Sequence, residues 1–309
     1  PGSLELLGTV ILPGLAGAFL FVLPLLDKGE SRRARDRIKY LAPVLAGGLA
    51  IVLLTNLSLQ ADKHDAQYQR SLAVSKVRAE RAIALAHRGI PPGGPLDMLK
   101  QDPLTRGPDL YAQHCNKCHV LDAVGEQDAP VHTGFGSRDW ILGMIVDPQA
   151  DHYFGKTDID EMKPMAKKLG RAKALAVAEF LFAQGREPQD PPIDAALVKQ
   201  GEQVFRDTCM DCHLYEGDGA DVFEGPDMTG YASRNWILGQ IRDPDALSQY
   251  GELNDMPSFA EDLDAQDQRM LAAFLRQQRF AKPAHPVGDI PAQPAPPAAK
   301  GDGHDSDDE

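Results

Sequence analysis

The chain has 309 residues, 43% hydrophobic and 25% charged, a length that fits two domains of ordinary size and a composition that excludes a fibrous or wholly disordered protein. Its 45 acidic residues against 32 basic ones give a net charge of -13, which repels a phosphate backbone and excludes nucleic acid as a natural partner. Only 4 cysteines are present, as two CxxC pairs, too few for a disulfide-stapled scaffold.

From Leu6 to Leu26 the sequence carries no charge for about 21 residues, the length an α-helix needs to cross roughly 30 Å of hydrocarbon. A second uncharged run, Leu41 to Leu59, is about 19 residues long and predicts a second span. No basic residues precede the first run and no small-residue cleavage site follows it, which argues against a signal peptide. Pro13, Pro24 and Pro43 suit membrane helices whose freed carbonyls are covered by neighbours. Between the runs, Lys28, Arg32, Arg33, Arg35, Arg37 and Lys39 face only Asp27, Glu30 and Asp36. That bias places the loop in the cytoplasm and everything after residue 60 outside. Residues 60–89 are alanine-rich and would extend the membrane helix or form a surface helix, which Gly89 and Pro91-Pro92-Gly93-Gly94-Pro95 stop, so that 61–104 is a helical and Pro/Gly-rich linker.

The central feature is an internal repeat. Cys115-Asn116-Lys117-Cys118-His119 recurs at an offset of 94 as Cys209-Met210-Asp211-Cys212-His213. Gly107 with Tyr111 precedes the first copy as Gly201 with Phe205 precedes the second, a spacing that puts each pair on one helix face. Residues 137–148 (SRDWILGMIVDP) match 233–244 (SRNWILGQIRDP) at an offset of 96, and Met162 then pairs with Met256, and Phe180 with Phe274, at 94 again. CxxCH supplies two thiols one helical turn apart, to bond the two vinyl groups of haem, and a histidine placed to reach the iron. A four-thiolate zinc site fits poorly, because the pairs are far apart and each has its own histidine. No strand-helix-strand pattern supports a redox dithiol.

Over about 105–280 the sequence resembles tandem class I c-type cytochromes. The residues carrying the likeness are the Gly and aromatic before CxxCH, Gly225-Pro226 with Gly230, a tryptophan, a Met-Pro and an amphipathic last helix. The resemblance implies two covalently bound haem c groups, attached through Cys115, Cys118, Cys209 and Cys212 with His119 and His213 as proximal ligands. It implies that Pro130 and Pro226 offer their carbonyls to the second ring nitrogens of His119 and His213. The first copy has Ala129 where the second has Gly225. Met256 is the implied sixth ligand of the second iron, and Met162 or Met165 of the first, with Met162 at the aligned position. His132, whose counterpart is Met228, competes as a ligand of the first iron. Trp140 and Trp236 either pack the core or donate their indole N–H to a haem propionate.

Residues 1–60 also resemble the C-terminal half of cytochrome b, of the subunit IV type, through an LPG/LPLLD pattern and the same topology. The expected fold is therefore all-α: a two-helix membrane segment (1–60), the linker (61–104), cytochrome c domains at 105–188 and 189–281, and a disordered acidic tail (282–309). Fusions of this domain order occur in bacterial quinol-cytochrome c reductases. The implied role is an electron relay in the bacterial inner membrane, its haems on the periplasmic face. Its implied partners are a Rieske iron-sulfur protein, a cytochrome b subunit carrying the b-type haems, and a soluble cytochrome c or terminal oxidase. The chain departs from that pattern by starting at Pro1 without the preceding helix and quinol-site loop, which leaves truncation or a partner chain to supply them. A second reading is the dihaem c-type subunit of a haem-copper terminal oxidase, which needs no cytochrome b-like helices. A third is a free-standing membrane-anchored shuttle, against which the prolines and glycines of the helices argue.

Overall fold

The computed structural model describes residues 7–26, 33, 38–219 and 224–292. The basic loop between the apolar runs therefore falls almost entirely outside the described residues. By internal packing the chain divides into Pro1–Glu80 and Arg81–Glu309.

In the first unit a short π-helical stretch, Leu7–Ile11, leads into α1, Leu12–Leu26. The 15 residues of α1 rise about 22 Å, short of the roughly 30 Å of a bilayer core. The next helix, α2 (Ile38–His64), contains the uncharged stretch Leu41–Leu59 with Asn56 as its main polar insertion. Its 24-residue segment Leu41–His64 is long and apolar enough to cross a membrane, and none of it is buried within the protein. Among the described residues it is the one helix that meets this test; the expected pair of spans is shown here only as one. The linker helix α3, Ala66–Ala86, ends before Gly89 as its composition predicts.

The second unit is mostly helical. Its elements are α4 (Pro95–Lys100), α5 (Pro103–His114), α6 (Arg138–Val146), α7 (Ala166–Gln184), α8 (Ala195–Thr208), α9 (Arg234–Arg242) and α10 (Ala265–Gln277). One minimal hairpin pairs Leu214–Tyr215 with Asp218–Gly219, a small departure from an all-α fold. The repeat is visible in the capping. Ser137 accepts the Trp140 N–H at the start of α6, and Ser233 accepts the Trp236 N–H at the start of α9. Asp264 caps α10 in the same way, through the N–H groups of Gln266 and Asp267. At the position of Asp264 the first repeat has Gly170, with φ 70°, so α7 kinks there instead of starting afresh. Both α5 and α8 bury matching faces, Gly107, Leu110 and Tyr111 in one and Gly201, Val204 and Phe205 in the other.

Those faces pack across the repeats. Helix α5 lies on α10, and α8 lies on α7, while α6 packs on α7 and α9 on α10. A methyl group at Gly107 would collide with Phe274, and one at Gly201 with the Ala176 carbonyl and with Phe180. The Arg106 guanidinium pairs with Asp267 (Nε to Oδ1 3.0 Å) across the same contact. Arg276 of α10 is wholly buried and bonds the Gly185 carbonyl (2.9 and 3.1 Å) and the Asp190 carboxylate in the segment joining α7 to α8. Residues 282–292, expected to open a disordered tail, instead pack on this unit: His285 stacks on His152 at 4.1 Å, and the Arg171 N–H donates to the Pro291 carbonyl at 2.8 Å. The remainder of the tail, from 293, lies outside the described residues.

Candidate functional site

Each CxxCH motif follows directly from a helix, Cys115 and Cys209 being the C-cap residues of α5 and α8. The following turn brings the histidine N–H back to the first cysteine carbonyl, at 2.9 Å in both copies. His119 Nδ1 donates to the Pro130 carbonyl at 2.7 Å, and His213 Nδ1 to the Pro226 carbonyl at 3.0 Å. A carbonyl can only accept, so Nδ1 carries the proton and Nε2 keeps its lone pair for a metal. Burial holds both imidazoles below the usual histidine range, against the opposing pull of those carbonyls. Burial also pushes the Cys115 and Cys209 thiols up to about 12, and the Glu224 carboxylate, which accepts from Cys212 at 3.0 Å, together with burial pushes that thiol up to about 11. Protonated thiols are poor redox nucleophiles at neutral pH.

Beside the second motif lies a cavity of about 280 Å³, near the lower end of the roughly 300–1,000 Å³ of small-molecule sites. Its lining includes Cys209, Cys212, His213 and Pro226 together with Trp140, Ile145, Leu169, Leu181, Met162 and Met165. Apolar walls, two thiols, an imidazole with a free lone pair and thioether sulfurs are the donor set a c-type haem requires. Sequence alignment groups Met162 with His119; the structure brings Met162 to the motif of the other repeat. Met256 sits on the loop before α10, its backbone N–H and carbonyl both held by the Asn254 side chain at 3.0 and 2.6 Å. That loop runs to Phe259, whose ring meets His114, the residue before Cys115, at 6.1 Å.

Two sequence expectations change at this point. His132 stacks face to face on His119, with centroids 4.0 Å apart and planes within 17°, and its Nδ1 is hydrogen-bonded to the Tyr111 hydroxyl at 3.0 Å. Stacked rings leave no gap for an iron between their nitrogens, so His132 is a packing neighbour of His119 and not a ligand facing it. The indole N–H of Trp140 donates to the Val131 carbonyl (3.0 Å) and that of Trp236 to the Asp227 carbonyl (2.8 Å). Neither is free for a propionate; Trp140 contributes its ring to the cavity wall. Gly225, singled out with Pro226 in the sequence, also lies against the histidine: a methyl group there would come within 2.7 Å of His213 Cε1. The loop after the second motif is two residues longer than that after the first and has glycine where the first has Ala129.

Comparison with known proteins places this geometry. Residues 196–275, running from α8 through α10, match the family of cbb3-type cytochrome c oxidase subunit III. The chain is 26% identical over 150 residues to the cbb3-type cytochrome c oxidase subunit FixP of Sinorhizobium medicae, covering 46% of this chain and 48% of that one. It is 27% identical over 211 residues to the CcoP subunit of Rubrivivax gelatinosus (67% and 64%) and 23% over 219 residues to FixP of Bradyrhizobium diazoefficiens (65% and 70%). The chain thus spans about half the length of the first of these relatives. No solved structure matches it significantly. The likeness implies covalently bound c-type haem.

These relatives overturn the resemblance of residues 1–60 to cytochrome b. They are subunits of a terminal oxidase, so the assignment to a quinol-cytochrome c reductase falls, and with it the cytochrome b and Rieske partners. The physical reason is that an apolar helix with scattered Pro and Gly is written by the bilayer and not by one family.

Proposed function

We propose that the chain is the dihaem c-type cytochrome subunit of a haem-copper terminal oxidase, passing electrons from a soluble c-type donor to the catalytic subunit. The observation that carries this reading is that both CxxCH motifs end in a histidine whose Nδ1 is committed to a proline carbonyl. The likeness of the chain to cbb3-type oxidase subunits supports that class of complex. Cys115, Cys118, Cys209 and Cys212 would hold haem through thioether bonds, the sulfur of each S–H going to one vinyl carbon and its hydrogen to the neighbouring carbon, with no oxidant needed. His119 and His213 would offer Nε2 to the iron, with Pro130 and Pro226 fixing their tautomer and orientation through Nδ1. Bound haem supplies one-electron chemistry. The apolar side chains around it exclude water and keep the reorganisation on electron transfer small.

In this reading α2 and the Leu7–Leu26 stretch both cross the bacterial inner membrane. The basic loop stays cytoplasmic and the haem-bearing unit lies on the periplasmic side. The experiment is gentle purification from native membranes with peptide mass spectrometry of the partners. A copper-haem catalytic subunit is expected; a Rieske protein in its place would refute the assignment.

A further inference from the structure

We infer that Tyr111 and His132 act together as positioning residues for His119, fixing the plane of that imidazole as nothing fixes the plane of His213, so that the two haem sites are unequal on their histidine side. This rests on the haem reading above and goes beyond it by giving a role to two buried side chains that are not ligands.

The argument begins from the number of restraints on each ring. The hydrogen bond from Nδ1 to a proline carbonyl is present in both repeats; it holds the imidazole along one edge and still lets its plane rock. A second restraint, against the face, removes that freedom. The first repeat has one: the His132 ring lies flat on His119, with centroids 4.0 Å apart and planes within 17°. In the second repeat the aromatic ring that meets His213 among the described residues is Phe205, 6.4 Å away and tilted by 36°. Ligand orientation is one of the levers by which a protein tunes a metal it holds.

The restraining ring is itself held. His132 Nδ1 is hydrogen-bonded to the Tyr111 hydroxyl at 3.0 Å, and Phe135 meets the same ring edge-on at 5.6 Å. Tyr111 is buried on α5 and set edge-on against Phe274 of α10 at 6.3 Å. A site is only as stiff as the side chains behind it, and here close-packed neighbours leave those side chains no room to turn.

The difference between the repeats is confined to side chains. The His132 N–H donates to the Val120 carbonyl and the Met228 N–H to the Leu214 carbonyl, each at 2.9 Å, so both stand at one backbone position. Tyr111 and Phe205 precede their CxxCH motifs at the same spacing. The first repeat thus carries Tyr with His where the second carries Phe with Met, a pair with no hydroxyl to donate and no flat ring to lay on the ligand. The hydroxyl and the imidazole occur together and are missing together. Each residue's counterpart is also a substitution that this backbone already accepts.

The test uses the full chain matured with haem and carrying Cys209→Ser/Cys212→Ser, so that only the first haem is attached. Absence of haem stain from this parent on a denaturing gel would refute the haem reading itself. The ferric parent is expected to give one sharp set of low-spin g values in electron paramagnetic resonance, because those values follow the plane of the axial imidazole. His132→Met is expected to broaden the signal and shift the midpoint potential while haem stain per chain stays level. Tyr111→Phe, which removes a single hydroxyl and so carries the test even where His132→Met lowers haem content, moves both in the same direction by less. The double variant Tyr111→Phe/His132→Phe restores a flat ring, orphans no hydroxyl and returns the signal toward the parent's width. A merely structural role for the pair would lower Tm without moving signal or potential. An unmoved signal and potential in either single variant, or a double variant as broad as His132→Met, overturns the proposal.

Discussion

Replacing Asp190 by Asn tests the packing that ties α10 to the connection between α7 and α8. The Arg276 side chain is 1% exposed and that of Asp190 4%, so the pair sits out of water. The substitution keeps an oxygen to accept the Glu187 N–H (2.8 Å) but strips the negative charge facing Arg276. Removing one partner of a buried pair costs about 3–5 kcal/mol when the other charge is stranded. Here stranding is incomplete, because Glu187 lies 3.3 Å from Arg276 Nε and the Gly185 carbonyl still accepts from Nε and Nη2. Arg276 Nη1, in contrast, has no acceptor to fall back on. The expected loss is therefore about 2–3 kcal/mol, which in a unit of this size lowers Tm by roughly 5–10 °C. Thermal unfolding of the solubilised chain, followed by circular dichroism at neutral pH, measures it. The double variant Asp190→Leu/Arg276→Met, which leaves no orphaned charge, should unfold above the single variant. A single-variant shift below roughly 2 °C, or a double variant less stable than the single one, would refute the reasoning.

Further outcomes follow from the same geometry. Asp102, Asp190 and Asp267 are each held below the usual carboxylate range: in Asp102 burial pushes upward but is outweighed by the sum of the Arg81 and Thr105 hydrogen bonds and the Arg81 charge, in Asp190 by the Glu187 N–H together with Arg276, and in Asp267 the Arg106 hydrogen bond is the largest influence. Their stabilisation is complete above the unfolded value of about 3.9 and is lost as pH falls through the lower folded values. Tm should accordingly stay level from pH 7 to 5 and fall below about pH 4, which a pH series of melting curves checks. Gly225→Ala places a methyl 2.7 Å from His213 Cε1; it should cost about 1–3 kcal/mol and shift one midpoint potential in a redox titration while haem content stays unchanged. Cys209→Ser/Cys212→Ser should halve the haem stain per chain on a denaturing gel, and full retention would show that these thiols do not attach haem.

Much of the second unit was legible in the sequence because its determinants are local. CxxCH, the repeated SRDWILG and SRNWILG segments and the Gly-x-x-x-aromatic faces each act over one or two helical turns. Which face meets which was not legible. Gly107 and Gly201 offer the same surface, as do Phe180 and Phe274, so the pattern is satisfied equally by either pairing, and only the tertiary structure chooses. The fate of the Trp140 and Trp236 N–H groups was equally hidden, since a backbone carbonyl leaves no trace in side-chain identity. His132 shows the converse error: a ligand-type residue near a motif was read as a competing ligand, whereas a neutral buried histidine can simply stack and bond a tyrosine. In the membrane segment hydropathy marked the apolar runs, but it says little about ancestry.

The pairing of α7 with α8 and of α5 with α10 makes the second unit a nest and not a row. Residues from about 138 to 232 form an inner body read continuously, with its methionine loop ahead of its CxxCH, the reverse of the order in a single-haem cytochrome. Around it closes an outer body whose two halves lie on either side in sequence. During synthesis the inner helices have all been made by Tyr231, whereas the outer body waits for α10, so the motif synthesised first is enclosed last. The equivalence of Ser137 and Ser233 as helix caps also marks a natural seam. Joining the chain there, with the inner body cut out, would leave α5, the first motif, α9 and α10 in the uninterrupted order of one ordinary cytochrome.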